Sequence, residues 1–317
     1  MLDVCRHRGV MADVKAETPA LGEALTQKFP LVSVGIPTYN RPAYLQRAMG
    51  FITQQTYPNL EIIVSDNASP EDETKRVVEE HMAKDSRIKY VRQSTAIAPF
   101  ENFRFVLEAS TGEYFMWMAD DDSRAPTFIE ALMRALQSDE MAVLAFCDIA
   151  VVGEDGDRRR GFYSTYLPFF REFMSGRKWI RLMKFFFQDE WFGKANLMYG
   201  LMRRSAVDEI SLGLLIRHYG FYGLDNLLVF RLLGQGRVVL VDDTLCSVTA
   251  GNIKHYATSE AEGVKKKLGA MAGQLKYLLS YLHAADGFIK YLLIVLFPFK
   301  LTLFCLRVVM RKIQAAI

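Results

Sequence analysis

Short apolar segments alternate with helical patterns between residues 31 and 146, and this alternation constrains the fold more than any other feature of the sequence. The segments with a β-forming composition are 31–36, 60–64, 88–91, 114–118 and 142–146. The helical patterns between them are 42–55, a helix that opens at Ser69, 100–109 and 126–136. Apolar strands joined by helices form mostly parallel sheets whose two faces are covered. The chain is therefore predicted to adopt an α/β fold, with a mostly parallel central sheet flanked by helices.

The composition excludes several classes of protein. Half of the 317 residues are hydrophobic, so the chain carries the apolar surface that disordered proteins lack. Lys and Arg number 39 against 36 Asp and Glu, and this small excess argues against a nucleic-acid partner. The 4 cysteines are far apart, with no CxxC spacing. Cys147 and Cys246 lie in apolar runs and are predicted to be buried thiols, and a reducing cytoplasm is the expected compartment.

Changes in pattern divide the chain into four predicted parts. Residues 1–29 have no clear period and are interpreted as a flexible lead without the apolar core of a secretory signal. Residues 30–150 contain the alternating strands and helices, and 151–258 are interpreted as the second half of the same domain. Residues 259–317 form a predicted helical tail. Within the second half, the periodicity predicts a turn at 154–157, strands at 196–203 and 237–241, and a helix at 223–234.

The tail contains no acidic residue between 287 and 317. Its longest uninterrupted apolar run, 291–299, is shorter than the about 20 residues that span a bilayer. The tail is therefore predicted to be an amphipathic anchor on a membrane surface, with its cations facing anionic headgroups. These cations are Lys290, Lys300, Arg307, Arg311 and Lys312. The alternatives are a helix packed on the preceding domain and a true membrane span.

Three adjacent acids, Asp120, Asp121 and Asp122, follow the predicted strand at 114–118. They are candidates for a binding site, because ligands of such sheets bind beyond the carboxyl ends of the strands. A hard divalent cation such as Mg²⁺ relieves the repulsion among three carboxylates and prefers carboxylate and phosphate oxygens. The alternative is an acidic turn that caps the helix near Pro126.

Three further candidates stand at the ends of predicted elements. Thr38 follows the first strand, where a hydroxyl beside a helix N-terminus suits a nucleotide, or where a plain strand-to-helix turn occurs. Asp66 closes the second strand, where its carboxylate either accepts an N–H from a base or forms an Asx turn. Asp225 opens an apolar helix, so it is either a helix cap or a general base.

These candidates lie in motifs that resemble the family 2 glycosyltransferases of the GT-A fold. The motifs are VSVGIPTYNR at 32–41, QQTYPNLEIIVSDNAS at 54–69, ASTGEY at 109–114, YGLMRR at 199–204 and GLDNLLVFRLLGQG at 223–236. The resemblance covers residues 30–255. It implies that residues 30–150 bind a nucleotide-sugar donor, that 151–258 bind the acceptor, and that the cofactor is a divalent metal, Mg²⁺ or Mn²⁺.

The resemblance also implies roles for individual residues. Those implied to bind the nucleotide-sugar are Pro37, Thr38, Tyr39, Asp66, Asn102 and Asp120. Among these, Asp66 would contact the base. Asp121 would be the principal metal ligand, Asp122 is a second candidate, and Asp225 would be the catalytic base. Many relatives have a histidine where this chain has Thr249, and here the next histidine is His255.

The implied reaction is an inverting, metal-assisted single displacement from a nucleotide-diphosphate sugar, with UDP favoured, to a hydroxyl acceptor. The basic tail indicates a lipid-linked or surface-glycan acceptor and a cytoplasmic location, peripheral on the inner face of the cell membrane. Aromatic side chains are either core residues or an acceptor platform. These aromatics are Phe169, Phe170, Phe186, Trp191 and Phe192. The alternative functions are a polyprenyl-phosphate sugar transferase and a catalytically silent carbohydrate-binding protein on the same fold.

Overall fold

A computed structural model describes most of the chain. The described residues are 29–152, 167–174, 176–189, 193–208, 210, 212–219, 223–249 and 264–316. The predicted flexible lead, apart from residue 29, therefore lies outside the described residues. The same holds for the predicted turn at 154–157, the aromatic residues Trp191 and Phe192, and His255.

The described strands form one eight-stranded sheet. They are β1 Val32–Thr38, β2 Leu60–Asp66, β3 Ile88–Arg92, β4 Tyr114–Trp117, β5 Ser123–Arg124, β6 Ala142–Val152, β7 Leu201–Arg203 and β8 Arg237–Thr249. Their order is β3-β2-β1-β4-β7-β6-β8-β5. The pairs β1–β2, β1–β4, β2–β3 and β6–β8 are parallel, whereas β7 and β5 pair antiparallel to their neighbours. The predicted α/β fold with a mostly parallel sheet is confirmed.

Helices cover the sheet. They are α1 Pro42–Thr53, α2 Glu73–Met82, α3 Pro99–Glu108, α4 Phe128–Gln137, α5 Leu167–Met174, α6 Lys178–Phe187, α7 Arg204–Asp208, α8 Leu212–Tyr219, α9 Leu224–Gln235, α10 Val264–Ala284 and α11 Gly287–Ala316. A 3₁₀ helix at Lys194–Tyr199 precedes β7. All residues of β1 and β2 are buried, as expected for strands with helices on both faces.

The parallel strands give the sheet two distinct edges. Their final residues define the carboxyl edge, where Thr38 lies opposite Asp66 and Asp66 lies opposite Arg92. Their first residues define the amino edge, where Val32 lies between Leu60 and Tyr114. The loops that follow β1, β2 and β4 therefore meet at the carboxyl edge, where ligands of such sheets bind.

The C-terminal end of helix α9 lies at the amino edge. Gly236 follows the helix beside the first residues of β6, and the N–H of Arg237 donates to the carbonyl oxygen of Met141 at 2.8 Å. The start of β6 is on the amino side of the sheet, because β6 and β4 both pair antiparallel with β7. Asp225 lies in the first turn of α9, at the opposite end of this helix of 12 residues, which is about 18 Å long.

Several element boundaries predicted from the sequence are wrong. The helix predicted to open at Ser69 begins instead at Glu73, because the Ser69 hydroxyl donates to Asp66 Oδ1 and accepts the N–H of Asn40. The strand predicted at 196–203 is reduced to β7, since most of that segment is the 3₁₀ helix. The first strand also continues through Pro37. Proline is tolerated there because β4 ends opposite Gly35, so one side of Pro37 faces no strand.

The predicted helical tail is present, but its cations do not all face outward. The side chains of Ile289 and Leu293 in α11 join the core, and Lys300 is only 1% exposed. The Nζ atom of Lys300 donates to the carbonyl oxygen of Gln188 at 3.3 Å. The prediction that Lys300 faces lipid headgroups is therefore wrong: a carbonyl group at the end of α6 binds it instead. Lys290 is exposed.

Candidate active site

The acid triplet and the first strand meet at the carboxyl edge. The Thr38 hydroxyl donates to Asp120 Oδ2 at 2.8 Å. Arg41, the residue before α1, donates from Nη1 to Asp120 Oδ1 at 2.7 Å and from Nη2 to Asp121 Oδ2 at 2.8 Å. Its guanidinium carbon lies 4.4 Å from the centre of the Tyr44 ring. One cation therefore bridges the two adjacent carboxylates, and an aromatic face holds it in place.

Burial disfavours the charged forms of two of the three adjacent carboxyls. Burial raises the pKa of the Asp120 carboxyl to about 6, although Arg41 and the Thr38 hydroxyl favour its charged form. Burial likewise raises the pKa of Asp122 to about 6, although Arg124 favours its charged form. An added cation would stabilise the charged forms of both groups.

Asp121 and Asp122 differ in their surroundings. Asp122 Oδ2 lies 3.3 Å from Nη2 of Arg124, whose side chain is 1% exposed. The side chain of Asp121 is 16% exposed, and its partner Arg41 is 35% exposed. Asp121 thus faces a position that a ligand can reach, whereas Asp122 has a buried counter-charge of its own. This difference favours Asp121 over Asp122 as a metal ligand.

The oxygen donors at this edge fit a hard divalent cation. Asp120 and Asp121 offer carboxylate oxygens, the ligand type that Mg²⁺ and Mn²⁺ prefer, and one cationic group already bridges them. Within the described residues, no cluster of three or more His, Cys, Asp or Glu side chains forms a complete metal-binding group. A cation held here by one or two carboxylates would take its remaining ligands from a bound phosphate or water.

Asp66 is wholly buried in the turn after β2. Its Oδ1 atom accepts the Ser69 N–H at 3.0 Å and the Ser69 hydroxyl, and its Oδ2 atom accepts the Tyr90 hydroxyl at 2.9 Å. Nε of Arg92 is 3.8 Å from the same oxygen. In this arrangement Asp66 supports the turn, so contact with a nucleotide base would require the turn to change.

The other residues predicted to bind the donor, Pro37, Tyr39 and Asn102, differ in their exposure to solvent. Pro37 is buried in β1, and Tyr39 is 50% exposed just beyond it. Asn102 is buried, and its amide bonds both the hydroxyl and the carbonyl of Ser65 at 2.6 and 3.0 Å. Asn102 therefore ties α3 to β2, while Tyr39 projects from the carboxyl edge.

Asp225 occupies the first turn of α9. Gly223 precedes the helix with φ of 73°, and the Tyr277 ring of α10 covers the position that a side chain would occupy there. Burial raises the pKa of the Asp225 carboxyl above its ordinary value. The Asn226 N–H, at 2.7 Å from Oδ1, and the positive charge of Lys194 favour its charged form. A carboxylate with a raised pKa is a stronger proton acceptor than an exposed one.

The roles of two residues of the candidate site, Arg41 and Lys194, were not predicted from the sequence. Arg41 belongs to the first quoted motif, and its position between a strand and Pro42 was a usable signal. Lys194 is a single lysine in a segment with aromatic residues, and no sequence pattern indicated a functional role for it. Two aromatics proposed as an acceptor platform are core residues: Phe170 packs against Phe146 and Phe186 against Tyr281. Phe169 is partly buried.

The chain is similar in sequence to curated glycosyltransferases. The chain is 35% identical over 125 residues to the GalNAc(5)-diNAcBac-PP-undecaprenol beta-1,3-glucosyltransferase of Campylobacter jejuni, which covers 39% of this chain and 40% of that protein. It is 29% identical over 114 residues to glycosyltransferase GlyG of Streptococcus pneumoniae, covering 36% of this chain and 38% of the relative. The chain thus spans about two fifths of the length of these curated relatives.

Solved structures share the fold at low sequence identity. The S. aureus TarS 1–349 structure in complex with UDP-GlcNAc matches with a TM-score of 0.51 and 15% identity, over 74% of this chain and 60% of that one. The same protein in complex with UDP matches with a TM-score of 0.50 and 16% identity, over 74% and 68%. The family model described as Glycosyl transferase family 2 matches residues 33–209, more than half of the sequence. The chain therefore belongs to glycosyl transferase family 2.

Proposed function

We propose that this protein is an inverting glycosyltransferase that moves a sugar from a UDP-sugar to a hydroxyl group of a lipid-linked glycan. The observation that supports the proposal is the acid pair at the carboxyl edge, where Asp120 and Asp121 follow β4 and Asp120 accepts the hydroxyl of Thr38 in β1. Asp225 lies in the first turn of α9, at the end of that helix away from the amino edge, so α9 would carry it toward the acid pair. Donor and acceptor chemistry would then have separate carboxylates on one side of the sheet.

The donor half of the proposal rests on the β1 and β4 loops. The crystallised relative TarS binds UDP-GlcNAc and UDP on the same fold, which supports a uridine nucleotide here. Asp121, assisted by Asp120, would hold Mg²⁺ or Mn²⁺, and Thr38 and Tyr39 would line the donor. The cation would supply positive charge to the leaving diphosphate.

Asp225 would act as the general base. As the acceptor hydroxyl oxygen bonds to the anomeric carbon, its proton passes to the Asp225 carboxylate. The bond from that carbon to the diphosphate oxygen breaks in the same step, and its electron pair leaves with UDP. Attack opposite the leaving group inverts the anomeric centre, by the geometry that also governs inverting hydrolysis.

A membrane surface would present the acceptor. Apolar residues on the outer face of α11 are 49% to 74% exposed: Phe288, Tyr291, Ile294, Val295, Phe299, Leu306 and Met310. Their spacing of three or four residues places them opposite the face that carries Ile289, Leu293 and Lys300. The stretch Gly287–Arg307 is long and apolar enough to cross a membrane, and 17% of it is buried.

Surface docking explains this pattern better than a span. A helix whose inner face packs on the domain at Leu293 and Lys300 is not surrounded by lipid, so only its outer face would enter the interface. The C. jejuni relative acts on an undecaprenol-linked glycan, which supports a lipid-linked acceptor. We place the protein in the cytoplasm, peripheral on the inner face of the cell membrane.

Calorimetry with UDP and Mn²⁺ tests the donor site. We expect UDP to bind more tightly with Mn²⁺ than without it, and Asp121→Ala to remove this difference. A silent carbohydrate-binding protein would show no metal-linked UDP binding. Assays with a polyprenyl phosphate and with a polyprenyl-linked glycan would separate the polyprenyl-phosphate sugar transferase from the proposed enzyme, because the former acts on the bare phosphate.

A further inference from the structure

The C-terminal end of α6 gathers cationic side chains from two other elements. Lys194 of the 3₁₀ helix donates to the carbonyl oxygens of Phe185 and Gln188 at 2.8 and 3.0 Å. Lys300 of α11 donates to the same Gln188 oxygen at 3.3 Å, and Arg307 donates to the carbonyl oxygen of Phe187 at 3.3 Å. The last carbonyls of a helix lack partners within it and carry partial negative charge, so these cations cap α6.

The two lysines are fully enclosed. Lys194 is 0% exposed and Lys300 is 1% exposed. Their charges also lie near aromatic faces, with Nζ of Lys194 4.6 Å from the Phe185 ring centre and Nζ of Lys300 5.5 Å from that of Phe186. Burying a lysine is costly unless its ammonium is bonded. Both ammonium groups donate to carbonyl oxygens at the end of α6, so the burial of each lysine depends on the position of that end.

Lys194 links this cap to the active site. The 3₁₀ helix that carries it packs against α9, and its charge stabilises the ionised form of Asp225. A chain of contacts therefore runs from the outer helix α11 through the end of α6 and the 3₁₀ helix to α9. Asp189 beside the cap adds a contact of 3.6 Å with Nε of Arg307.

We propose that Lys300 and Arg307 are positioning residues of the active site, which make α11 a structural part of it by capping α6 and so fixing the 3₁₀ helix that packs against α9, the helix whose first turn contains Asp225. The proposal rests on the function assigned above to Asp225. It means that the helix facing the membrane and the proposed base are mechanically connected. Undocking α11 would then loosen the base as well as release the protein from the surface.

Hydrogen exchange without substrate tests the connection. Lys300→Met keeps the length of the side chain and removes its charge, and Lys290→Met is the matched control, since Lys290 is exposed on the same helix. We expect K300M to speed exchange by about tenfold in the 3₁₀ helix and at 224–228, because it removes a bond to a charged group. K290M should match the wild type there. Equal exchange in K300M and K290M would overturn the proposal.

A kinetic comparison separates positioning from general loss of structure. With UDP-GlcNAc as donor and Mn²⁺ present, UDP release is measured for the wild type, K290M, K300M, Lys300→Arg and Arg307→Gln. We expect K300M to lower kcat by about tenfold with the donor KM unchanged, K300R to recover part of the loss, and R307Q to have a smaller effect. An equal loss through KM, or no recovery in K300R, would contradict a positioning role.

The outcomes also distinguish this proposal from the function on which it rests. A wild type that releases no UDP and binds none would refute glycosyl transfer, while the exchange comparison would still decide whether Lys300 fixes the 3₁₀ helix and α9. If K300M lost its fold, R307Q would replace it in the exchange experiment, because Arg307 is partly exposed and only one of the three capping cations.

Discussion

Buried carboxylates behave in opposite ways at the two edges of the sheet. Glu61, at the amino edge, accepts hydrogen bonds from Lys89 Nζ, from the Ser33 hydroxyl and from the N–H and hydroxyl of Thr111. Burial alone would raise its pKa, but these donors lower the pKa to about 2. At the carboxyl edge, burial raises the pKa of Asp120 and of Asp122 to about 6.

The difference shows which buried carboxylate stabilises the fold and which ones lower its stability. Every oxygen of Glu61 has a donor, so its negative charge stabilises the folded state. Both oxygens of Asp120 also have donors, but burial and the neighbouring carboxylates outweigh them, and burial outweighs the Arg124 charge at Asp122, as expected where a protein keeps capacity for a ligand. One sheet thus uses the same functional group to join strands at one edge and to hold a reactive site at the other. The predictions below test this contrast.

The largest expected effect is on catalysis. Asp225→Asn should lower transfer by about a hundredfold to ten-thousandfold, the usual range for loss of a general base. UDP binding with Mn²⁺, measured by calorimetry, should stay within about twofold of the wild type, since a general base acts on the acceptor hydroxyl and not on the donor. If binding and turnover fell equally, Asp225 would belong to the donor site instead.

The next effect is on stability at the amino edge. Glu61→Gln should reduce the free energy of unfolding by about 2 kcal/mol, because it removes charge-assisted bonds from a buried group. Chemical denaturation measures this loss, and UDP binding by the folded fraction is the control. A change in UDP affinity, without loss of stability, would contradict the division between the two edges.

The stability of the protein in acid should also depend on Glu61. Since the folded state lowers the pKa of Glu61 from 4.5 to about 2, its stabilisation is present above pH 4.5 and is lost as the pH falls toward 2. Denaturation of the wild type and of Glu61→Gln between pH 7 and pH 3 should therefore converge at the acidic end. Curves that stay parallel would mean that Glu61 is not charged in the folded state.

Asp121→Ala should act on ligand binding alone. We expect the Mn²⁺-dependent part of UDP affinity to fall by about tenfold, the size of one lost charge-assisted contact. Thermal denaturation without ligand should change little, because Asp121 is partly exposed. Loss of stability larger than that of E61Q would show that the acid pair serves the fold.

The smallest expected effect is a gain in stability, whereas the substitution of Glu61 at the amino edge causes a loss. Asp120→Asn should stabilise the folded protein at pH 7 by about 1 kcal/mol while it weakens donor binding. The raised pKa gives the reason: stability from this group is present below its unfolded pKa and is lost as the pH rises through about 6. Replacement by the neutral amide removes that loss. Destabilisation would mean that Arg41 compensates Asp120 fully.

The sequence predicted the fold of residues 30–150 well. Apolar strands and the acids that follow them were evident from local patterns, and Thr38 and Asp120 meet at the carboxyl edge, as expected for residues at the ends of neighbouring strands. Contacts between distant segments were not predictable in this way. The burial of Lys300 depends on Gln188, which is 112 positions away in the chain, and nothing local distinguishes it from the exposed Lys290. The start of α2 was missed because the Ser69 hydroxyl is engaged by Asp66.

The Tyr277 ring lies over Gly223, the residue that sets the entry of α9. Shortening the protein before residue 264 to improve its solubility would therefore uncover the backbone that presents the proposed base. Such a fragment would retain the donor loops and would be expected to bind nucleotide, yet transfer sugar poorly. Assays of tail-free material should be interpreted with that loss in mind.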